Sequence, residues 1–237
     1  ERRRSRTRLL DLLPASVQAK REAIVAQCFP SPEAGPSLLV LSERGKIKCL
    51  ASAELTDLSN RGLSLIKLKE GDRLYALDWI RGDEEVVIAT SNGRLLRFPA
   101  DAAQLPQMGR TAQGHQAARL RAREHLAGYC LCRRSNTVLL LISEQGYAKR
   151  LLASTARRAN RGDIGTQVFH FSQPLDQLMV MVPAPAGHAI ALLTSSDRLL
   201  YLDPETIPRG NKDGDGQRLA DLKASETVSR VLLPAAL

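Results

Sequence analysis

Aromatic residues are scarce in this chain, at 4% of 237 residues. A protein that binds single-stranded nucleic acid by stacking bases needs aromatic platforms, so this composition argues against that mode. No apolar run approaches the ~18 residues of a membrane span, and no signal peptide is evident. Cysteine is sparse too. Cys28, Cys49, Cys130 and Cys132 form no C-x-x-C pair. Cys130 and Cys132 flank one residue of a strand-like stretch and should share a face. No further ligands stand nearby, so buried free thiols are expected rather than a metal site. Free thiols suit a reducing, cytoplasmic compartment.

Catalytic signatures are also missing. His115, His125, His170 and His188 share no motif, and no G-x-S-x-G, H-E-x-x-H or phosphate-binding glycine loop appears. The Asp and Glu residues fall in turns and loops and read as solvated carboxylates, including the run Asp83-Glu84-Glu85. The expectation is a non-enzymatic chain with no cofactor. Long amphipathic helices are absent from the pattern, and Pro14 interrupts the best candidate.

What the chain does have is a repeat. SLLVLSERGKIKCL (37–50), EVVIATSNGRLLRF (85–98), TVLLLISEQGYAKRL (137–151) and AIALLTSSDRLLYL (189–202) are four strand–turn–strand units. Their turns centre on Gly45, Gly93, Gly146 and Asp197, about 50 residues apart, a period typical of propeller blades. Short apolar runs bounded by turn residues predict strands buried on both faces. Each run ends in Ser or Thr before a turn that needs a positive φ, which Gly supplies and Asp tolerates. Second halves also recur, at 63–80, 118–134, 167–183 and 217–234, and the stretch 7–30 matches them. Four first halves and five second halves imply that neighbouring repeats complete one another. The expected division is a basic arm at 1–8, then one domain over 9–237. That domain holds a half-repeat at 9–36 and repeats at about 37–84, 85–136, 137–188 and 189–237. The first residue is Glu1 rather than Met, so the chain reads as part of something longer. The fold class expected is all-β, propeller-like, of about five four-stranded blades, with four to six possible.

The net charge is +9 and the pI about 9.8, a balance that favours a polyanionic partner. The cations recur in register. Lys46, Lys48, Arg94, Arg97, Lys149, Arg150 and Arg198 follow the turns. Arg61, Arg110, Arg119, Arg157, Arg158, Arg161, Arg209 and Lys212 lie in or beside the later loops, most with a nearby Gly. Side chains of a strand alternate faces, so such positions can project cations from one recurring blade edge. Glycine lets a phosphate approach backbone N–H groups while the cation neutralises it. All of these except Arg198 are candidate phosphate contacts for sequence-nonspecific duplex DNA. Two rival readings stand beside this one. A protein-interaction scaffold with an acidic partner requires an apolar, aromatic face. A propeller enzyme requires polar residues converging on the inner strands.

SEQGYAKRLLASTARRANRGDIG (143–165) resembles a repeat of the C-terminal domain of the A subunits of type IIA topoisomerases, the DNA gyrase and topoisomerase IV family. Its GY-x-KR run followed by an Arg-Gly loop carries the likeness. MGRTAQG (108–114) is similar to that family's M-G-R-x-x-x-G loop, and IKLKEGDRLYAL (66–77) to its I-x-L-x-x-GD strand pair. The resemblance implies a β-pinwheel whose blades share strands, which would account for the extra half-repeat. It also implies a DNA-bending, non-catalytic role. The partners implied are the N-terminal cleavage core of the same polypeptide and an ATPase B subunit. The isolated domain is then expected to be monomeric and without membrane contact. Tyr75, Tyr129, Tyr147 and Tyr201 read as packing residues. The gyrase box Q-(R/K)-R-G-G-(R/K)-G survives only partly at 159–165, which keeps Arg161, Gly162 and Gly165 and gains Asp163. That decay, and a repeat count below six, resemble a topoisomerase IV-like subunit or a divergent gyrase paralogue more than gyrase itself.

Overall fold

The computed structural model describes residues 36–56, 63–133, 136–184 and 189–232, with Asp11, Ala26, Cys28 and Gly187. The basic arm at 1–8, the half-repeat at 9–36 apart from Asp11, Ala26, Cys28 and Pro36, and Arg61 therefore lie outside the described residues. Two compact units emerge, one of residues 1–81 and 105–115, the other of 82–104 and 116–237.

The first unit is built on β1 (Ser37–Ser42), β2 (Lys46–Ala51) and β3 (Leu74–Ile80). With the two-residue β6 (His115–Gln116) they form a sheet in the order β3-β1-β2-β6. Every residue of β1 is buried. Leu38 and Val40 pack with Leu50 against Leu65, Leu77 and Trp79.

The second unit repeats that plan. β4 (Glu85–Thr90), β5 (Arg94–Pro99), β7 (Leu126–Cys132) and β10 (Thr166–Gln167) make one blade. β8 (Val138–Ser143), β9 (Tyr147–Leu152), β11 (Leu178–Pro183) and β14 (Gln217–Arg218) make the next. β12 (Ile190–Thr194), β13 (Leu199–Leu202) and β15 (Val228–Leu232) form a three-stranded last blade. The described residues thus hold four blades, three of them four-stranded. The fourth strand of each complete blade comes from a later repeat, so strand sharing is a feature of the chain.

Burial on both faces follows from packing between blades. Along β8, Leu139 and Leu141 enter a cluster with Val87, Leu95 and Phe169, whereas Leu140 and Ile142 enter another with Ile190 and Leu192. Such a strand has no wet face, hence its unbroken apolar run. β7 and β11 touch in parallel at Gly128 and Met181. A Cβ on Gly128 would stand 2.4 Å from the Met181 carbonyl oxygen, so only glycine permits this approach.

The hydroxyls before the turns also have a reason. Ser42, Ser143 and Thr194 accept hydrogen bonds from the backbone N–H groups of Lys46, Tyr147 and Arg198 at 3.1, 3.0 and 3.2 Å. Asp197 takes a φ of 57° at the glycine position of the last turn. The expectation of solvated carboxylates needs correction. Glu84, Glu124 and Glu226 are buried. Glu124 pairs with Arg94 and Glu226 with Arg198, while Glu84 accepts from the Gly82 N–H at 3.0 Å. A charge taken from water needs such partners. The cysteines are free thiols as expected, with Cys130 Sγ and Cys132 Sγ 3.7 Å apart.

Candidate nucleic-acid interface

Three loops recur at 51-residue intervals and close on Gly114, Gly165 and Gly216. Their φ values are 83°, 83° and 85°. An added Cβ would meet the carbonyl oxygen of Ile47, Leu95 or Ala148 at 2.6, 2.7 or 2.8 Å. Glycine is therefore required both by conformation and by the closeness of the blade's second strand. Each loop docks on its blade's second strand. The N–H groups of Met108, Ala159 and Gly210 donate to the carbonyls of Cys49, Arg97 and Arg150 at 2.9, 2.8 and 2.8 Å.

This docking sorts the expected phosphate contacts into three groups. The first is internal. Lys48 and Lys149 occupy one position of the repeat and are almost wholly buried. Lys48 Nζ donates to the carbonyls of Leu65, Arg110 and Ala112 at 2.8, 2.8 and 3.2 Å. Lys149 Nζ donates to those of Asn211 and Gly214 at 3.0 and 2.6 Å. They hold their loops from beneath by satisfying carbonyls that the tight turn leaves unpaired. Burial lowers both pKa values, that of Lys149 to about 8, against the opposing fields of Asp215 and Asp213. Arg94 is likewise internal, paired with Glu124 and donating to the carbonyls of Ile164 and Arg119. These three side chains turn inward rather than out from the blade edge, because strand alternation sets only the face and the following loop covers it.

The second group occupies the loop apex at equivalent positions. Arg110 lies 3.4 Å from Glu54. Arg161 bends back to donate to the carbonyls of Gln104 and Gln116 at 2.5 and 3.3 Å, and burial lowers its pKa. Lys212 is exposed and makes no ion pair among the described residues.

The third group lies at the loop entrance, where the loop runs parallel to the second strand. Arg97 bridges to Arg158, and Arg150 to Arg209. Arg97 and Arg158 both reach Glu85, at 3.5 and 3.3 Å. Arg150 donates to the carbonyls of Ile207 and Glu205 at 2.6 and 3.0 Å, and Arg209 is exposed. Of the remaining cations, Arg119 and Arg157 are exposed, and Lys46 is half-buried. The partners Gln104 and Glu124 carried no signal in the linear pattern, and Glu85 read there only as part of a solvated acidic run rather than as a partner of Arg97 and Arg158. Aligning the loops on their terminal glycines brings out the cation positions, but not which acids face them. Among the described residues no group of three His, Cys, Asp or Glu side chains could hold a metal, and no helix is long and apolar enough to cross a membrane.

Comparison with known proteins agrees with this geometry. The family described as DNA gyrase C-terminal domain, beta-propeller, matches residues 36–77, 84–128 and 137–178. The chain is 37% identical over 238 residues to the A subunit of DNA topoisomerase 4 from Synechocystis sp., covering 94% of this chain and 26% of that protein. It is 26% identical over 192 residues to the A subunit of DNA gyrase from Chlamydia pneumoniae, covering 81% of this chain and 23% of the relative. The chain thus spans about a quarter of the length of these relatives. In fold it is similar to a crystal structure of the C-terminal domain of DNA topoisomerase IV, with a TM-score of 0.76, 18% identity, and 86% of this chain and 63% of the other covered. It is also similar to a structure of the DNA gyrase A C-terminal domain, with a TM-score of 0.69, 22% identity, and coverage of 85% and 67%. Blades with shared strands, glycine-closed basic loops and these matches together identify the chain as a member of the DNA gyrase C-terminal domain, beta-propeller, family.

Proposed function

We propose that this chain is a non-catalytic module that binds duplex DNA through its phosphates, without reading sequence, and bends it. On this reading it is the C-terminal domain of a type IIA topoisomerase A subunit. It presents DNA to the cleavage core of the same polypeptide, in an enzyme that also holds an ATPase B subunit. The observation that carries the reading is the recurrence of Gly-closed loops whose entrance and apex bear Arg158, Arg161, Arg209 and Lys212 at fixed positions. Arg209, Lys212, Arg119 and Arg157 are exposed and without a carboxylate partner among the described residues. Cations left this way attract phosphates and release counterions. Contacts of this kind orient a duplex but do not distinguish bases.

The loop at 159–165 supports bending over chiral wrapping. Its Arg161 is tied to carbonyls of its own unit and Asp163 accepts from the Asn160 N–H at 3.0 Å, and the two opposite charges leave the loop without net charge. The scaffold reading has one observation in its favour, the exposed Leu199 and Tyr201 on β13, where Tyr201 stands in solvent rather than packing as expected.

The test is duplex affinity measured against salt. The expected result is a linear fall of log K with log salt, with a slope steeper than about −3, since each neutralised phosphate contributes about −0.9. Absence of binding at low salt, or binding indifferent to salt, would overturn the reading.

A further inference from the structure

One node of three side chains recurs at the loop entrance of each complete blade. Its members are the first residue of the blade's first strand, the fourth residue of its second strand and the loop residue bridged to that strand. In the first unit these are Ser37, Cys49 and Gln107. In the next blade they are Glu85, Arg97 and Arg158, and in the third Val138, Arg150 and Arg209. The ladders fix the equivalence, because Ser37, Glu85 and Val138 stand opposite Ala51, Pro99 and Leu152. The bridges Cys49–Gln107, Arg97–Arg158 and Arg150–Arg209 are all parallel.

Chemically the three nodes differ. The first is neutral and self-satisfied, with the Gln107 amide donating to Ser37 Oγ at 2.9 Å. The second holds two guanidinium groups and one carboxylate within 3.5 Å of both. The Arg97 side chain is only 12% exposed there and Glu85 20% exposed, so the carboxylate is a close substitute for an external anion. In the third, the acid's place is taken by an apolar residue. Nε and Nη2 of Arg150 are fixed by the Ile207 and Glu205 carbonyls. Among the described residues Nη1 has no hydrogen-bond partner, and neither Arg150 nor Arg209 makes an ion pair. The neighbouring acids serve elsewhere. Asp215 accepts from Ser172, and its field with that of Asp213 falls on Lys149. Glu205 offers its carbonyl. Residues bridged in parallel project to the same side, like charges there repel without an anion between them, and planar guanidinium groups match phosphate geometry.

We propose that Arg150 and Arg209 form a phosphodiester clamp on the third blade, and that Glu85 closes the equivalent clamp of the second blade from within. This rests on the DNA-binding reading above and assigns the strength of each blade's grip to one residue at the head of its first strand.

The experiment is a reciprocal exchange in the full chain, E85V and V138E, with R209A beside them, each titrated with a short random-sequence duplex at several salt concentrations. E85V should bind about three- to tenfold more tightly at low salt, with a slope steeper by about 0.9, as one more phosphate is engaged. R209A should weaken binding by a similar factor, with a slope shallower by about 0.9, and V138E should weaken it likewise. Arg209 is exposed, so R209A cannot act through the core, and misfolding cannot produce the gain expected of E85V. Wild-type binding left unchanged by both E85V and R209A overturns the clamp while the DNA reading stands. A wild-type chain that binds no duplex at low salt overturns both.

Discussion

Lys149 shows how a cation can look like a ligand contact in a sequence and serve the fold instead. Its ammonium sits beneath a loop, bound to two carbonyls, and burial lowers its pKa from 10.5 to about 8. Below pH 8 the folded and unfolded chains both carry the proton, and the desolvation cost is complete. Between pH 8 and 10.5 the folded chain has released the proton and the unfolded chain keeps it, so stability must rise with pH across that window. The slope is at most about 1.4 kcal/mol per pH unit for one proton. Cys49 and Tyr75, whose pKa values are raised, work the opposite way as the unfolded chain ionises first. Comparison with K149M removes them. The stability difference, wild type minus K149M, is expected to increase from pH 8 to 10.5 in urea melts, and a flat difference would show that Lys149 does not titrate in that window.

At the scale of the element, the loop closures are the stringent feature. Gly165 combines a φ of 83° with a Cβ position 2.7 Å from the Leu95 carbonyl oxygen. Gly165→Ala must strain its backbone and push the loop from β5, at a cost of about 1–3 kcal/mol. Gly109, with nothing within 4 Å of its Cβ position, is the control, and its alanine variant should stay within about 0.5 kcal/mol of wild type. Denaturant midpoints decide, and equal midpoints would mean that the closure tolerates a side chain. The turns of the four hairpins and the buried strands of the first three were legible in the sequence, whereas β13 of the last hairpin is largely exposed. Alternation, apolar runs and Gly or Asp at the tip are local signals. The two-residue strands β6, β10 and β14 were not. Each is held by pairing with a strand far away in the chain, so its own composition says little.

At the scale of the whole molecule, the shared strands make blades depend on later sequence. β9 is covered by β14, with Leu219 N–H donating to the Gly146 carbonyl at 2.9 Å. A chain ending at Pro183 keeps every residue of β8, β9 and β11 but loses β14 and the carbonyls of Asn211 and Gly214 that Lys149 binds. Amide exchange at Arg150, whose N–H donates to the Pro208 carbonyl at 3.2 Å, should then accelerate by orders of magnitude, whereas β4 and β5, closed by β10, should stay protected. Unchanged exchange in β9 would mean that a blade is complete without its borrowed strand.

The period, the hairpins, the Gly-closed loops and the family likeness were determined by the sequence alone, because each rests on residues close together in the chain or on repetition of a motif. Which cations face solvent was decided only by the tertiary structure. Lys48, Lys149 and Arg94 look in the sequence like Arg209 and Lys212, since all follow the same turns and loops. Their fates differ because a loop that starts some 60 residues later folds over the first three. A cation's freedom depends on its partners, and partners such as Glu124 for Arg94 or Glu85 for Arg158 arrive through pairings between distant strands and loops.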